Sequence, residues 1–375
     1  MNFNKEQETA VSHKDGPMMV LAGPGSGKTT VITHRIKRLL EAGVGPSGIL
    51  VITFTKAAAV EMKERFLSLA SGAAMKKEES GRVSFGTFHS VFYQILRLAY
   101  GFPAGSVIGE EEKRGFFKEF LAKSSLEVED EGEFISSVIS EISHVKEERL
   151  DLRYYYSQNC PEEWFKKLYR GYEEMLHRTG KLDFDDMLVM CYDLFSKRKD
   201  ILAAWQRKYR YILVDEFQDI NRLQYEIVRM LALPENNLFI VGDDDQSIYR
   251  FRGAKPEIML GFEKDYPDAA RVLLSYNYRS TREIVSASLR LIGHNKVRFP
   301  KELKPSHGAG RPADLRIYEN PVREMEAAAR ELRLYRQAGY AYEDMAVLFR
   351  TGLSMGLLAE KLMEYNVPFQ MRDVV

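Results

Sequence analysis

The 375-residue sequence is long for one domain and suggests about two or three. A hydrophobic content of 45% and a charged content of 29% are ordinary for a globular protein with a substantial core. Lysine plus arginine equals aspartate plus glutamate, 54 against 54, which excludes a globally basic nucleic-acid-binding protein but leaves room for a local basic groove.

The two cysteines, Cys160 and Cys191, do not form a closely spaced pair. This argues against a zinc site, an iron–sulfur cluster or a disulfide framework, and it fits the reducing cytosol best. The first residues lack the apolar core of a signal peptide, and no stretch approaches about 18 uninterrupted apolar residues. These features predict a cytoplasmic protein that has no membrane partner.

The first strong signal along the chain is a glycine-rich loop. It follows a predicted helix at 3–11 and an apolar run at 18–21, spans residues 22–30 (Ala-Gly-Pro-Gly-Ser-Gly-Lys-Thr-Thr), and precedes a helical pattern at 31–40. Strand, glycine-rich loop and helix is the context of a P-loop, in which backbone N–H groups and the helix N-terminus surround phosphates.

Two residues of this loop carry specific expectations. Lys28 is expected to reach the β- and γ-phosphates of a nucleotide, and the hydroxyl of Thr29 is expected to ligate Mg²⁺. Ala22 stands where the generic pattern has glycine. A chance match is the alternative interpretation, but the flanking strand and helix favour a nucleoside triphosphate site.

Further strands and helices alternate along the chain and then give way to helices alone. Such alternation indicates a parallel sheet covered on both faces. The predicted strands are 49–54, 83–85, 211–214 and 237–241, and the predicted helices beside them are 57–69 and 91–98. Between about residues 100 and 181 the pattern is helical, with the clearest helices at 110–123, 134–146 and 161–178. We interpret this stretch as a helical subdomain inserted into the sheet domain.

Three acids at Asp183, Asp185 and Asp186 lie just before the sheet pattern resumes. Clustered carboxylates are compatible with a metal site, but acids are also favoured at the N-terminus of a helix. The second interpretation is the more common one for such a cluster.

The strand at 212–214 delivers Asp215 and Glu216 to its C-terminal end, the geometry of a hydrolytic P-loop enzyme. Asp215 is expected to hold Mg²⁺, and Glu216 to orient or deprotonate the attacking water. After the strand at 239–241, Gln246 is a candidate sensor of the γ-phosphate. The acids at 243–245 would crowd negative charge near phosphates unless Mg²⁺ or a basic residue offsets it.

In this order and spacing, the motifs resemble those of superfamily 1A DNA helicases of the UvrD/PcrA/Rep type. The matching segments are the P-loop at 22–30, where alanine is usual in the family, 53–55 (motif Ia), 87–90 (motif Ib), the Leu-Asp-Phe-Asp-Asp segment at 182–186, 215–219 (motif II), 242–254 (motif III) and 275–281 (motif IV). The resemblance weakens the metal interpretation of the acids at 183–186. It also implies ATP and Mg²⁺ as the nucleotide and its metal.

The resemblance carries specific roles to residues of this chain. It implies that Gln7 reads the adenine, that Tyr278 stacks on it, and that Arg279 is an arginine finger on the γ-phosphate. The residues that it assigns to ATP are Gln7, Ala22, Gly23, Gly25, Ser26, Gly27, Lys28, Thr29, Thr30 and Tyr278. With Lys28, Glu216 and Gln246, Arg279 completes the predicted catalytic set.

A second set of positions matches the family's track for single-stranded DNA. These are Thr53, Phe54, Thr55, Thr87, His89, Tyr249, Phe251 and Arg252. Stacking of bases on aromatic side chains is worth about 1–3 kcal/mol per base and tolerates any sequence. Each aromatic residue taken alone is more often an ordinary core residue than a DNA contact. Many relatives have tryptophan where this chain has Phe251, which is expected to weaken the stacking.

The implied fold class is α/β: a P-loop NTPase with a RecA-like parallel sheet, an inserted helical subdomain and a partial second RecA-like lobe. The predicted domains are 1–99 and 182–270 (first lobe), 100–181 (helical insertion) and 271–375 (second lobe). In the second lobe we predict strands at 315–318, 345–349 and 368–371 and helices at 322–337 and 354–365. Nothing in the chain matches motifs V and VI, which include a second arginine finger, so the chain is expected to be a fragment with an incomplete motor.

The sequence thus predicts part of an ATP-dependent, 3′-to-5′ DNA helicase or single-stranded DNA translocase that serves repair or replication. Its expected partners are single-stranded DNA, junctions of single- and double-stranded DNA, and a protein or C-terminal half that completes the ATP site. One alternative is a non-enzymatic module that binds ATP and single-stranded DNA and acts through a partner. Another is a small-molecule P-loop kinase, against which the Asp215–Glu216 pair, the helical insertion and Gln246 argue.

Overall fold

A six-stranded parallel sheet organises the larger part of the molecule. The computed structural model describes residues 3–72, 80–249 and 253–371. The chain divides into two compact units, residues 1–311 and 312–375, and the sheet belongs to the first. No helix of the described ranges is long and apolar enough to span a bilayer.

The sheet has the spatial order β3-β2-β4-β5-β1-β6, and every neighbouring pair is parallel. Its strands are β1 (Met18–Ala22), β2 (Ile49–Thr53), β3 (Ser84–Thr87), β4 (Tyr211–Val214), β5 (Leu238–Gly242) and β6 (Ala270–Leu274). Strands β1, β2, β4 and β5 are buried along their whole length, as expected for parallel strands covered on both faces. The predicted α/β class with a parallel sheet is confirmed.

Alternate residues of one strand enter two separate cores. Met18 and Val20 of β1 pack in one hydrophobic cluster, and Met19 and Leu21 pack in the other, because side chains alternate across a strand. The helices of this unit outside the insertion are α1 (Lys5–Ser12), α2 (Lys28–Glu41), α3 (Lys56–Gly72), α4 (Phe88–Tyr100), α8 (Phe184–Lys197), α9 (Lys199–Lys208), α10 (Arg222–Ala232), α11 (Pro256–Leu260), α12 (Phe262–Asp265) and α13 (Arg282–Ile292).

The stretch predicted to be helical forms a body with its own core. It contains α5 (Glu110–Ala122), α6 (Glu131–Glu147) and α7 (Glu162–Thr179), and its core includes Phe117, Ile142 and Phe165. A short parallel pair follows β6: β7 (Tyr276–Asn277) and β8 (Lys304–Pro305). Strand β6 crosses the predicted domain boundary at 270/271, and the four-part division of the chain stays a prediction.

The second compact unit contains two helices, α14 (Pro321–Gln337) and α15 (Met355–Glu364), which share a small core that includes Met325 and Leu358. The strands predicted at 315–318, 345–349 and 368–371 are wrong: the structure has no strand in these segments. Their apolar composition suits a strand, but an extended segment becomes one only beside a hydrogen-bonding neighbour, and none faces them within the described residues. Leu315, Ile317 and Leu348 are 86–90% exposed.

Candidate active site

The P-loop connects the C-terminal end of β1 to the first residue of α2. Gly25 and Gly27 have φ angles of +64° and +90°, which suit glycine and bend the loop sharply. The hydroxyl of Ser26 donates to the carbonyl of Gly23 at 2.8 Å and closes the turn. Because α2 begins at Lys28, its free N–H groups and its partial positive charge face the loop, as phosphate binding requires.

The residues predicted to read the adenine lie beside this loop. Gln7 on α1 donates its side-chain amide to the carbonyl of Ser26 at 3.1 Å. Asn4, the N-cap of α1, donates to the hydroxyl of Tyr278 at 2.9 Å. The Tyr278 side chain is 44% exposed, so a ring face is accessible for stacking. The structure therefore brings Gln7 and Tyr278 together with the P-loop.

The segment that carries Arg279 is held on the P-loop by two hydrogen bonds and is braced internally by a third. The Asn277 amide donates to the Pro24 carbonyl at 2.8 Å, and the Tyr278 N–H donates to the Gly25 carbonyl at 2.9 Å. The Arg279 N–H donates to the side chain of Asn277 at 2.9 Å. The Arg279 side chain is exposed and makes no ion pair within the described residues. The backbone and Cβ of Arg279 therefore lie close to the loop, and its exposed side chain is available to an anion.

The Asp215–Glu216 pair lies directly opposite the P-loop lysine. Lys28 Nζ donates to Glu216 Oε2 at 2.6 Å. Glu216 has a φ of +48°, a strained conformation for a residue with a Cβ, and this bend follows immediately after β4. Burial, followed by the neighbouring Glu216 charge, raises the pKa of Asp215 to about 7.

These oxygens fit a magnesium ion. Asp215 is a buried carboxylate whose pKa is raised by burial and by the charge of Glu216, and Thr29 contributes a hydroxyl on the adjoining helix turn. Mg²⁺ prefers such hard oxygen donors and takes only one or two protein ligands, with water and phosphate oxygens completing its shell. Accordingly, no group of three or more His, Cys, Asp or Glu residues in the described ranges is placed to hold a metal ion.

A glutamine that the sequence reasoning did not single out links the ends of β4 and β5. The side-chain amide of Gln218 donates to Glu216 Oε2 at 3.0 Å and to Asp219 Oδ2 at 3.1 Å. Its oxygen accepts the Asp243 N–H at 2.9 Å, and Asp243 in turn accepts from the Gln246 amide at 2.7 Å. A continuous series of hydrogen bonds therefore runs from Lys28 to the predicted γ-phosphate sensor.

Basic residues offset the negative charge of the acids at 243–245. The sequence had left open whether Mg²⁺ or a basic residue does so. Lys301 Nζ lies 2.5 Å from Asp243 Oδ1, 2.5 Å from Asp244 Oδ1 and 2.9 Å from Asp245 Oδ2. Arg298 makes two 2.6 Å hydrogen bonds to Asp245. The sequence gave no local signal for either basic residue, because the partners lie more than 50 positions away along the chain.

Two of the residues predicted to bind DNA lie at the C-terminal ends of neighbouring strands. Thr53 ends β2 and pairs in register with Thr87, which ends β3. The rings of Phe54 and Tyr249 approach to 5.1 Å between centroids. Thr55 accepts the Ala58 N–H at 3.1 Å near the start of α3.

Two further observations concern the same predicted set. The His89 ring lies 4.9 Å from the ring of Phe184, which is 56% exposed, and burial lowers the pKa of His89 to about 4. His89 is therefore neutral at physiological pH and offers an aromatic face rather than a charge. Phe251 and Arg252 lie outside the described residues, and their assignment stays a prediction.

The acids at 183–186 have structural partners. Asp183 is the N-cap of α8 and forms a capping box with Asp186. Lys146 of the helical insertion lies 3.0 Å from Asp183 and 2.7 Å from Asp186, while Asp185 accepts from Ser143 at 2.6 Å. These contacts favour the helix-capping interpretation over a metal site.

Comparison with known proteins identifies the family to which this geometry belongs. Residues 3–267 match the family model of the UvrD/REP helicase N-terminal domain, and residues 272–375 match that of the UvrD-like helicase C-terminal domain. The chain belongs to the UvrD/REP helicase family. The P-loop and the Asp215–Glu216 pair lie within the first matched range, and the Arg279 segment lies within the second.

Individual relatives give the same result. The chain is 36% identical to the ATP-dependent DNA helicase PcrA of Staphylococcus epidermidis over 99% of this chain and 51% of the relative. It is also 36% identical to PcrA of Staphylococcus aureus (strain Mu50), over 99% of this chain and 50% of the relative, and to YjcD of Bacillus subtilis (strain 168), over 98% and 48%. The chain therefore spans about half the length of the curated relatives it matches.

Proposed function

We propose that this UvrD-type chain binds ATP with Mg²⁺, binds single-stranded DNA, and contributes both sites to a 3′-to-5′ DNA helicase or translocase of repair or replication. The observation that carries the proposal is the hydrogen-bonded series that joins Lys28, Glu216, Gln218, Asp243 and Gln246. It supports the proposal because it links the residues that we propose as the phosphate-binding lysine, the carboxylate base and the phosphate sensor. A nucleotide-binding module without hydrolysis would not need the base.

In the proposed reaction, water attacks the γ-phosphate in line, and Glu216 orients it or takes its proton. Lys28 exchanges its bond to Glu216 for one to the phosphates, which frees the carboxylate for the water. Arg279 stabilises the charge that develops on the γ-phosphate; arginine fingers can contribute about 10³–10⁵ in rate. Bound to Thr29 and Asp215, Mg²⁺ would supply further neutralisation of phosphate charge.

The proposed coupling between the nucleotide site and DNA runs through the C-terminal ends of the strands. The Asp215 N–H donates to the carbonyl of Ile52 at 2.9 Å, and Ile52 lies two residues before Phe54. On the next strand end, Tyr249 follows Gln246 by three residues. A change at the γ-phosphate therefore has a short path to both rings of the Phe54–Tyr249 pair, through the Asp215–Ile52 hydrogen bond to Phe54 and along the chain from Gln246 to Tyr249. We propose that ATP and DNA bias the same two-state arrangement of these strand ends.

Three related expectations remain proposals. They are the domain division 1–99, 100–181, 182–270 and 271–375; the DNA contacts by Thr53, Phe54, Thr55, Thr87, His89, Tyr249, Phe251 and Arg252; and the preference for junctions of single- and double-stranded DNA. A protein or chain segment that contributes a second arginine finger would raise turnover further.

The direct test is ATP turnover by the purified 375-residue chain with Mg²⁺ at low salt, with and without single-stranded DNA. We expect turnover that DNA increases and that Glu216→Gln abolishes, while nucleotide binding by the variant persists. Glu148→Gln is the matched control, because it removes an acid of the same size from the end of α6. ATP binding without turnover above the Glu216→Gln blank would replace the enzyme proposal with the non-enzymatic module.

A further inference from the structure

Lys301 is a buried charged group of the larger unit. Its side chain is fully buried, and its ammonium contacts all three consecutive carboxylates of Asp243, Asp244 and Asp245. Burial by itself lowers the pKa of this lysine, but the carboxylates outweigh burial and the pKa is raised. The lysine is therefore charged. Removing a charged group from water costs desolvation free energy even when it is paired, so this buried cluster is a candidate for a functional role.

The position of Lys301 in the chain connects two parts of the candidate active site. Lys301 lies between α13 and β8, and β8 pairs with β7, whose Asn277 is bonded to the P-loop. Leu303, two residues on, packs on the P-loop so tightly that a Cβ added to Gly23 would lie 2.7 Å from its Cδ2 atom. The same short segment thus contacts the P-loop through Leu303 and the end of β5 through Lys301.

Asp243 is the point at which these contacts converge. One of its carboxylate oxygens accepts from Lys301, and the other accepts from the Gln246 amide at 2.7 Å. Its N–H donates to Gln218, which also bonds Glu216. Asp243 is therefore the residue that orients Gln246, and Lys301 is the cation that holds Asp243.

We propose that Lys301 is a positioning residue for the γ-phosphate end of the nucleotide site. It fixes the Asp243 carboxylate, which in turn holds the Gln246 amide, and it keeps the three carboxylates from repelling the γ-phosphate. The inference rests on the proposed ATP site and adds a residue outside the motifs that define it. It implies that Lys301 affects the recognition of ATP more than that of ADP, because only ATP has the third phosphate.

The test compares the affinities of two nucleotides in equilibrium titrations of the full chain with Mg²⁺. The probes are ADP and the non-hydrolysable analogue β,γ-imido-ATP, and the readout is the ratio of their affinities. For Lys301→Met we expect the preference for the analogue over ADP to fall about tenfold, the size of one charge-assisted hydrogen bond. Arg271→Met is the matched control, because it removes the same charge from an exposed pair with Glu263 in the same unit.

A second variant covers the case in which Lys301→Met does not fold, since it leaves buried carboxylates without their cation. The double variant Lys301→Met/Asp244→Asn removes one charge of each sign, so the net charge of the cluster is unchanged. It is compared with Asp244→Asn alone, and the same fall of about tenfold in the ratio is expected. Circular dichroism and thermal unfolding verify that each variant is folded.

The outcomes separate this inference from the function on which it rests. A folded Lys301 variant whose nucleotide ratio equals that of its comparison protein overturns the positioning role. Loss of ADP and analogue binding by equal factors also overturns it, because a general disturbance of the loop acts on both. If the unmodified chain binds neither nucleotide, the proposed ATP site fails first, and the inference fails with it.

Discussion

Two apolar segments of this chain have similar composition, but one is a buried strand and the other is not a strand. Strand β4, Tyr211–Val214, is buried along its whole length and is hydrogen-bonded between β2 and β5. The segment 345–349, Met-Ala-Val-Leu-Phe, is equally apolar, yet it is not a strand, and its Leu348 is 90% exposed. Composition sets the preference for an extended backbone, but a neighbouring strand on each side decides whether that preference becomes a buried sheet.

The largest expected effect compares one leucine from each segment. Leu213→Ala in β4 removes a buried side chain, so the free energy of unfolding should fall by about 2–5 kcal/mol. Leu348→Ala removes a side chain that is already in water, so the change should stay within about 0.5 kcal/mol. Urea denaturation measures the effect of Leu213→Ala, and hydrogen exchange within the second unit measures the effect of Leu348→Ala.

Leu21→Ala is a useful companion, because this residue is buried on the neighbouring part of the same sheet. It should resemble Leu213→Ala rather than Leu348→Ala. A loss of more than about 2 kcal/mol for Leu348→Ala would show that its segment is packed in solution and would remove the contrast between the two segments.

Burial also distinguishes two neighbouring acids at the end of α6. Glu147 accepts from Asn221 at 2.8 Å, and burial, followed by the nearby charge of Asp185, raises its pKa to about 8. The hydrogen bond from Asn221 lowers this pKa, the adjacent charge of Glu148 raises it, and Lys255 lowers it. Glu148 itself pairs with Lys255 at 2.5 Å. Glu147 is therefore largely protonated in the folded protein at neutral pH.

The sign of the pH dependence follows from this raised pKa. In the unfolded chain the pKa of Glu147 returns to its ordinary value of 4.5, so folding favours the protonated form. The associated stability is complete below pH 4.5 and is lost as the pH rises through about 8. Between pH 5 and pH 8 the loss should be on the order of 2–4 kcal/mol.

The measurement is the free energy of unfolding at several pH values for the unmodified chain, Glu147→Gln and Glu148→Gln. Glu147→Gln should flatten the decline between pH 5 and pH 8, because an amide of the same shape has no proton to lose. Glu148→Gln should leave the decline in place. If the decline is the same in all three proteins, Glu147 is charged in the folded state and its burial is not as described.

The sequence predicted those features of the candidate site that involve only residues close together in the chain. Gly25 and Gly27, the lysine after them, and the Asp215–Glu216 pair each lie within a few residues of the strand that positions them. The sequence also favoured the capping interpretation of Asp183 and Asp186, because a helix cap involves only residues that are close together in the chain. Local apolar runs also predicted strands β1 to β5, because each of these strands has a hydrogen-bonding neighbour in the six-stranded sheet.

The sequence could not predict the contacts that join distant segments. Lys301 and Arg298 reach the acids at 243–245 from more than 50 residues away, and nothing in their own surroundings marks them. The role of Gln218 depends on the adjacency of β4 and β5, which is a property of the sheet order. The wrong strands at 315–318, 345–349 and 368–371 have the same origin, because strand pairing is not encoded in the segment itself.

The smallest expected effect concerns two asparagines that cap helices in the two units. Asn221 caps α10 with a reciprocal bond from Gln224 and is buried, whereas Asn320 caps α14 only by accepting the Arg323 N–H at 3.0 Å. Asn320→Ala should cost about 1 kcal/mol, the usual value of a lost cap. Asn221→Ala should cost more, because Glu147 also loses its hydrogen-bond donor.

Hydrogen exchange at the first turns of α10 and α14 measures each helix separately, which global unfolding of a two-unit chain does not. Asn320→Asp is the conservative control, because aspartate caps a helix as well as asparagine does and its charge suits the helix N-terminus. Exchange at the start of α14 should therefore accelerate about fivefold in Asn320→Ala and remain unchanged in Asn320→Asp. Equal exchange in the two variants would mean that the cap does not hold α14 in solution, and that α14 depends on its small core with α15 instead.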